Sequence, residues 1–145
     1  MSISFQQIHQ ISIDAAWYTQ PFKGFCLDSR KLEAGQIFIA LNSYSQPEKT
    51  RLFAENALNA GALAVISETD LGLANEWVCP EVRYLMGEWQ KQYLQAVDPV
   101  TALRGIAVTG TNGKTTISRL IAELISSQRQ GCAVMGTTGN GILPN

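Results

Sequence analysis

The sequence predicts an α/β fold in two parts, a small α/β domain over residues 1–98 and the first βαβ portion of a P-loop-type nucleotide-binding domain over residues 99–145. Three observations predict it. Short apolar runs with β-branched residues alternate with amphipathic helix-like runs along the first part of the chain. Asp98-Pro99 then interrupts the pattern, because proline disfavours helical backbone at the residue before it. After that break, the run Leu103 to Thr109 leads through Gly110-Thr111-Asn112-Gly113-Lys114-Thr115-Thr116 into a second amphipathic run.

Taken in order, Ser4 to Ile11 reads as a helix with Phe5, Ile8 and Ile11 on one stripe, and His9 off that stripe as a solvated residue. Gly24 to Leu27 reads as a short strand entering the polar turn Asp28-Ser29-Arg30. Gln36 to Leu41 is a second strand, introduced by a turn at Ala34-Gly35. Arg51 to Ala60 reads as a helix with Phe53, Ala57 and Leu58 toward a core, closed by Gly61 as its C-cap. Ala62 to Ile66 is a third strand and Val82 to Leu85 a fourth. Met86 to Val97 is a helix that buries Trp89, Tyr93 and Leu94, and the spacing of Trp89 and Tyr93 suits core packing better than base stacking.

In the second part, Leu103 to Thr109 has the composition of a buried parallel strand. Thr115 to Gln128 carries Ile117, Leu120, Ile121, Leu124 and Ile125 at helical spacing. A glycine turn between strand and helix is where phosphates are held. Gly110 and Gly113 permit positive φ, which turns backbone N–H groups toward phosphate oxygens. Lys114 offers a point charge to the β and γ phosphates, Thr115 a hydroxyl to magnesium, and the helix start its partial positive charge. Val108 stands where the general P-loop pattern has Gly or Ala, so this loop is a shortened variant, and the absence of a GxG pair argues against a dinucleotide fingerprint.

Composition narrows the classes. Eleven basic and 12 acidic residues give a net charge of -1 with no basic block, which argues against a nucleic-acid partner. The apolar run Ile37 to Leu41 is far too short to span a membrane, and the first residues do not form a signal peptide, so a cytoplasmic protein is expected. The 3 cysteines, Cys26, Cys79 and Cys132, are scattered and read as reduced, mostly buried thiols, and with 1 histidine they do not make a zinc site. Residues 99–145 amount to about one βαβ unit, fewer than a doubly wound sheet requires, so an N-terminal piece of a longer protein is expected.

The spelling GTNGKTT resembles the nucleotide loop of the Mur ligases, ATP-dependent amide-forming enzymes of peptidoglycan precursor synthesis, and folylpolyglutamate synthetases carry a related loop. Asp28-Ser29-Arg30, then Gly35, the strand Ile37-Phe38-Ile39-Ala40-Leu41 and the later Asn59-Ala60-Gly61-Ala62 resemble the N-terminal domain of the E-type and F-type members. Ala133 to Gly141 is closer to the E-type. Taken alone, the Asp-Ser-Arg turn is either a grip for a nucleoside or phosphate or a turn held by its own hydrogen bonds. The resemblance implies that the first domain binds the UDP end of the substrate, with Leu27 and Ser29 on the uridine, and that Gly110 to Thr116 bind ATP, with Lys114 catalytic and Thr115 on magnesium. After Leu41 the family usually has Gly, variable residues and Asp-Gly, whereas this chain has Asn42 to Lys49 in what reads as a longer loop. Tyr44, Ser45 and Gln46 are the candidates there for further substrate contacts.

The resemblance also implies a reaction. The acceptor is UDP-N-acetylmuramoyl-L-alanyl-D-glutamate, its carboxylate is activated by ATP as an acyl phosphate, and the incoming amine is diaminopimelate or lysine. Residues choosing the amine belong to a C-terminal domain outside this sequence, so the chain by itself is expected to be inert. An F-type ligase, a non-enzymatic UDP-sugar-binding module and a small P-loop kinase are the competing readings.

Overall fold

The computed structural model describes residues 3–9, 12–43, 46–97, 104–128, 131–137 and 139–143. It divides into two compact units, residues 1–101 and 102–145. In the first, β1 (Ile3–Ser4) and the short helix α1 (Phe5–Ile8) precede β2 (Pro21–Phe22), which pairs antiparallel with β1. Then follow β3 (Phe25–Cys26), β4 (Ile37–Ala40), the helix α2 (Pro47–Asn59), β5 (Ala64–Ser67), β6 (Glu76–Val78) and the helix α3 (Val82–Val97). The strands β3-β4-β5-β6 lie in that order in one parallel sheet.

Both faces of this sheet are covered, which is why β4 and β5 read as unbroken apolar runs rather than alternating ones. Ile37, Ile39, Ala64 and Ile66 point to one side, into a cluster with Phe5, Trp17, Tyr18, Phe22, Val82 and Trp89. Phe38, Ala40 and Val65 point to the other, against Ala54 and Ala57 of α2. Phe5 is fully buried at the centre of the first cluster, within 5.1 Å of the Trp89 ring centroid and 5.9 Å of the Trp17 and Trp77 ones. Trp89 and Tyr93 are core residues as expected, whereas Leu94 and Phe53 are largely exposed.

Several expectations need correction. Val82 to Leu85 is the opening turn of α3 rather than a strand, and the fourth strand is β6. β6 lies at the sheet edge and is only partly buried, so it lacks an apolar signature. Glu76 in it accepts N–H bonds from Leu71 (2.9 Å) and Leu73 (3.0 Å), a local structural role for a charge inside a strand. α2 begins at Pro47 rather than at Arg51, and a first-turn proline loses no hydrogen bond there. α1 ends at Ile8, and Ile11 lies outside the described residues. Cys79 is buried, but Cys26 and Cys132 are only half-buried.

His9 is not solvated. It is 8 % exposed, stacks on Phe5 and packs against Trp77 and Trp89, and its Nε2 has no hydrogen-bond partner among the described residues. Burial lowers its pKa below the ordinary histidine value. Unfolded chains therefore bind the extra proton first, so this residue's contribution to stability is present above the unfolded value near 6.5 and lost as pH falls from there through the lower folded value. Denaturant melts between pH 7 and 5 are expected to show a loss of stability that His9→Phe reduces while keeping the ring packing.

In the second unit, α4 (Lys114–Ser126) precedes the antiparallel pair β7 (Cys132–Gly136) and β8 (Gly139–Leu143), in register from Cys132 opposite Leu143 to Gly136 opposite Gly139. Gly139 to Gly141 are the first residues of β8. Residues 104–109, expected as strand, form none: Ile106 is 62 % exposed, and β7 pairs with β8 instead of with this run. An extended segment without a neighbour has no ladder to define it. Leu103 lies outside the described residues.

Candidate functional site

The phosphate loop is built by two glycines. Gly113 is the N-cap of α4 at φ 77°, and Gly110 has φ 148°, so both occupy backbone that side chains resist. Thr111 and Asn112 bend between them, and the loop is exposed throughout. Lys114 is the first residue of α4, and its Nζ curls back to donate to the carbonyls of Gly110 (2.5 Å) and Thr111 (3.3 Å). Thr115 and Thr116 follow in the first helical turn, with their N–H groups among those a helix start leaves without intrahelical partners. Glycine backbone, orphan N–H groups and a mobile ammonium on one loop make a donor set suited to phosphate oxygens. Among the described residues, no cluster of His, Cys, Asp and Glu could hold a metal ion.

The first unit presents a second set at the carboxyl edge of its parallel sheet. Leu27 follows β3 and is 54 % exposed. Together with Phe25, Ile39, Met86, Gly87 and Gln90 it lines an open apolar pocket of about 340 Å³ between the sheet and α3. Ser29 opens the helical turn Ser29–Lys31 immediately beyond. Gln46 caps α2, its N–H bonded to the Ser43 hydroxyl at 3.2 Å, while Tyr44 and Ser45 lie outside the described residues.

Within the Asp-Ser-Arg turn, Asp28 and Arg30 bond to each other. Asp28 Oδ1 accepts the Arg30 N–H (3.1 Å) and Nε (2.9 Å), and Oδ2 accepts Nη2 (2.8 Å), so the pair holds the turn itself. The Arg30 side-chain hydrogen bonds, with the Arg30 N–H, hold the Asp28 pKa down at about 2. Carbon-detected NMR is expected to place the Asp28 titration near that value, and Arg30→Ala to return it toward the ordinary carboxylate range. Any associated stability is present above the unfolded pKa and lost only as pH falls toward about 2.

Sequence reasoning missed two features at this edge. The pocket residues Met86, Gly87 and Gln90 share a face of α3, a signal obscured by assigning the preceding turn to a strand. The polar cluster of Asn42, Glu68 and Arg83 joins residues far apart in the chain, so no local spacing marks it. No helix of the described residues is long and apolar enough to cross a membrane.

Comparison with known proteins gives four findings. Residues 108–145 match the family model described as the Mur ligase middle domain. Over 125 residues the chain is 40 % identical to a UDP-N-acetylmuramoyl-L-alanyl-D-glutamate--2,6-diaminopimelate ligase of Haemophilus influenzae (strain 86-028NP), covering 81 % of this chain and 25 % of that protein. A ligase of the same name from Vibrio cholerae serotype O1 is 36 % identical over 127 residues, covering 81 % of this chain and 24 % of its own length. A solved structure titled as such a ligase superposes with a TM-score of 0.86 at 78 % identity, covering 100 % of this chain and 30 % of its own. The chain thus spans about a quarter of the length of these curated relatives.

Proposed function

We propose that the chain belongs to the Mur ligase family and that it supplies the UDP-substrate domain and the phosphate loop of an ATP-dependent ligase acting on UDP-N-acetylmuramoyl-L-alanyl-D-glutamate in peptidoglycan precursor synthesis, a reading that the family match and the relatives support. Of diaminopimelate and lysine, the names of the relatives favour 2,6-diaminopimelate as the amine. Residues 1–98 take the UDP end, residues 99–145 open the ATP-binding domain, and the reaction belongs to the cytoplasm, where nucleotide-linked precursors are made.

The observation that carries this reading is the open apolar pocket beside Leu27, at the carboxyl edge of a parallel sheet, where open α/β folds take their ligands. In this reading Leu27 lies against the uracil, Ser29 offers its hydroxyl to the nucleoside, and Tyr44, Ser45 and Gln46 reach the ribose or diphosphate. ATP with magnesium would donate its γ-phosphoryl group to the acceptor carboxylate, releasing ADP, and the incoming amine would then displace phosphate from the acyl phosphate. Lys114 exchanges the Gly110 and Thr111 carbonyls for phosphate oxygens, and backbone N–H groups from Gly113 to Thr116 hold the same charge at the helix start. Thr115 would offer its hydroxyl to magnesium. Charge is thereby offset while the two reactants stay aligned.

The test is the melting temperature of the chain with UDP-N-acetylmuramoyl-L-alanyl-D-glutamate and, separately, with Mg-ATP. Substrate at a hundred times its dissociation constant is expected to add about 2.7 kcal/mol, a rise of several degrees. No rise with the UDP substrate at any concentration would overturn the assignment of residues 1–98.

A further inference from the structure

We infer that Glu68 and Arg83 are positioning residues for the UDP substrate: together they fix the Asn42 main chain at the carboxyl edge and so set the path of the part of the substrate that extends beyond the uridine seated in the pocket beside Leu27. The inference rests on the substrate reading proposed above. Three elements meet at this point. Asn42 follows β4, Glu68 follows β5 and Arg83 lies in the first turn of α3. Glu68 Oε2 accepts the Asn42 N–H (2.5 Å), and both its carboxylate oxygens take the Arg83 fork, with Nη2 to Oε2 at 3.1 Å. Arg83 Nη2 also donates to the Asn42 carbonyl at 2.9 Å. Both main-chain polar groups of Asn42 are therefore held by one ion pair, and the Thr69 hydroxyl holds its side-chain Oδ1 at 3.3 Å.

The restraint continues along the chain. Ser43 N–H reaches the hydroxyl of the buried Thr50 at 3.4 Å, and the Ser43 hydroxyl takes the Gln46 N–H. On α3, Gly87 and Gln90 follow Arg83 at intervals of four and three residues, so the residue anchoring Asn42 shares a helix face with two that line the pocket. Energetics favour a positioning role over a purely stabilising one. The Glu68 side chain is 13 % exposed and that of Arg83 39 %, and an ion pair drawn partly out of water returns little net stability while fixing one geometry. Burial pushes the Glu68 pKa up, but the Arg83 hydrogen bond and charge and the Asn42 N–H more than offset it, and the net direction is down. The carboxylate is thus the charged partner this arrangement requires.

The experiment compares the chain with its Arg83→Met and Glu68→Gln variants. Calorimetry reads the dissociation constant for UDP-N-acetylmuramoyl-L-alanyl-D-glutamate, NMR titration that for uridine alone, and circular dichroism the fold. The expected result is a tenfold or greater weakening for the UDP substrate in both variants, with uridine affinity within twofold of the parent chain. Equal substrate affinity in variant and parent would overturn the inference, as would parallel loss of uridine and UDP substrate in a folded variant, which marks general disruption of the edge. If Arg83→Met fails to fold, the nearly isosteric Glu68→Gln decides alone. Failure of the parent chain itself to bind the UDP substrate would overturn the functional reading beneath the inference, an outcome distinct from all the others.

Discussion

Phe5→Ala is expected to destabilise the first unit by about 3–5 kcal/mol, the range for removing a buried aromatic ring from a packed core. Phe5 is 0 % exposed, and its ring touches those of His9, Trp17, Tyr18, Phe22, Phe25, Trp77 and Trp89, with centroids 5.1 to 6.3 Å away. These partners come from before, within and after the parallel sheet, so no single element can move inward to fill the void. At about 4–8 °C per kcal/mol for a domain of this size, the melting temperature should fall by well over 10 °C. Tryptophan fluorescence reports the transition directly, because Trp77 and Trp89 line the same cluster. Phe5→Leu, which keeps most of the volume, should cost less than half as much. A loss below about 1 kcal/mol for Phe5→Ala would mean that the cluster is loosely packed around this ring.

Lys114→Ala should have the largest effect on chemistry. In a full-length ligase of the proposed kind, turnover is expected to fall by about 10²–10³, the usual consequence of removing one group that meets charge developing in the transition state. Affinity for UDP-N-acetylmuramoyl-L-alanyl-D-glutamate should be unchanged, since that substrate is assigned to the first unit. The fold should survive as well, because among the described residues the Lys114 side chain bonds to exposed loop carbonyls alone. Lys114→Arg should not restore turnover, since a planar fork cannot replace a compact ammonium against crowded phosphate oxygens. Full turnover in the alanine variant, measured as substrate-dependent phosphate release, would remove Lys114 from the mechanism.

The parallel strands β4 and β5 were legible because burial on both faces leaves continuous apolar runs, Ile37-Phe38-Ile39-Ala40 and Ala64-Val65-Ile66-Ser67. α4 and its loop were legible because a glycine with positive φ, a lysine and two threonines are adjacent in sequence. β6 was not, since an edge strand carrying Glu76 and Trp77 satisfies its charge through loop N–H groups that no pattern announces. The run before Gly110 shows the opposite failure: its composition suits a strand, but pairing depends on a neighbour, and β7 is paired with β8. His9 was misplaced because α1 stops after Ile8, which turns a residue off the helical stripe into the aromatic cluster. The Glu68–Arg83 pair closes over Asn42 across 26 and 41 residues of sequence, a separation that only the packed sheet brings to bonding distance.

The apolar stripe of α4 has a consequence of its own. Ile117, Leu120 and Leu124 are 49 %, 59 % and 67 % exposed, and Ala122 is the buried hydrophobic residue of this helix, whereas β4 and β5 sit between two covered faces. Backbone amides in the two units should therefore trade their hydrogens for deuterium on separate clocks. Those of β4 and β5 would wait for global unfolding, while those of α4 would exchange through openings that leave the parallel sheet intact.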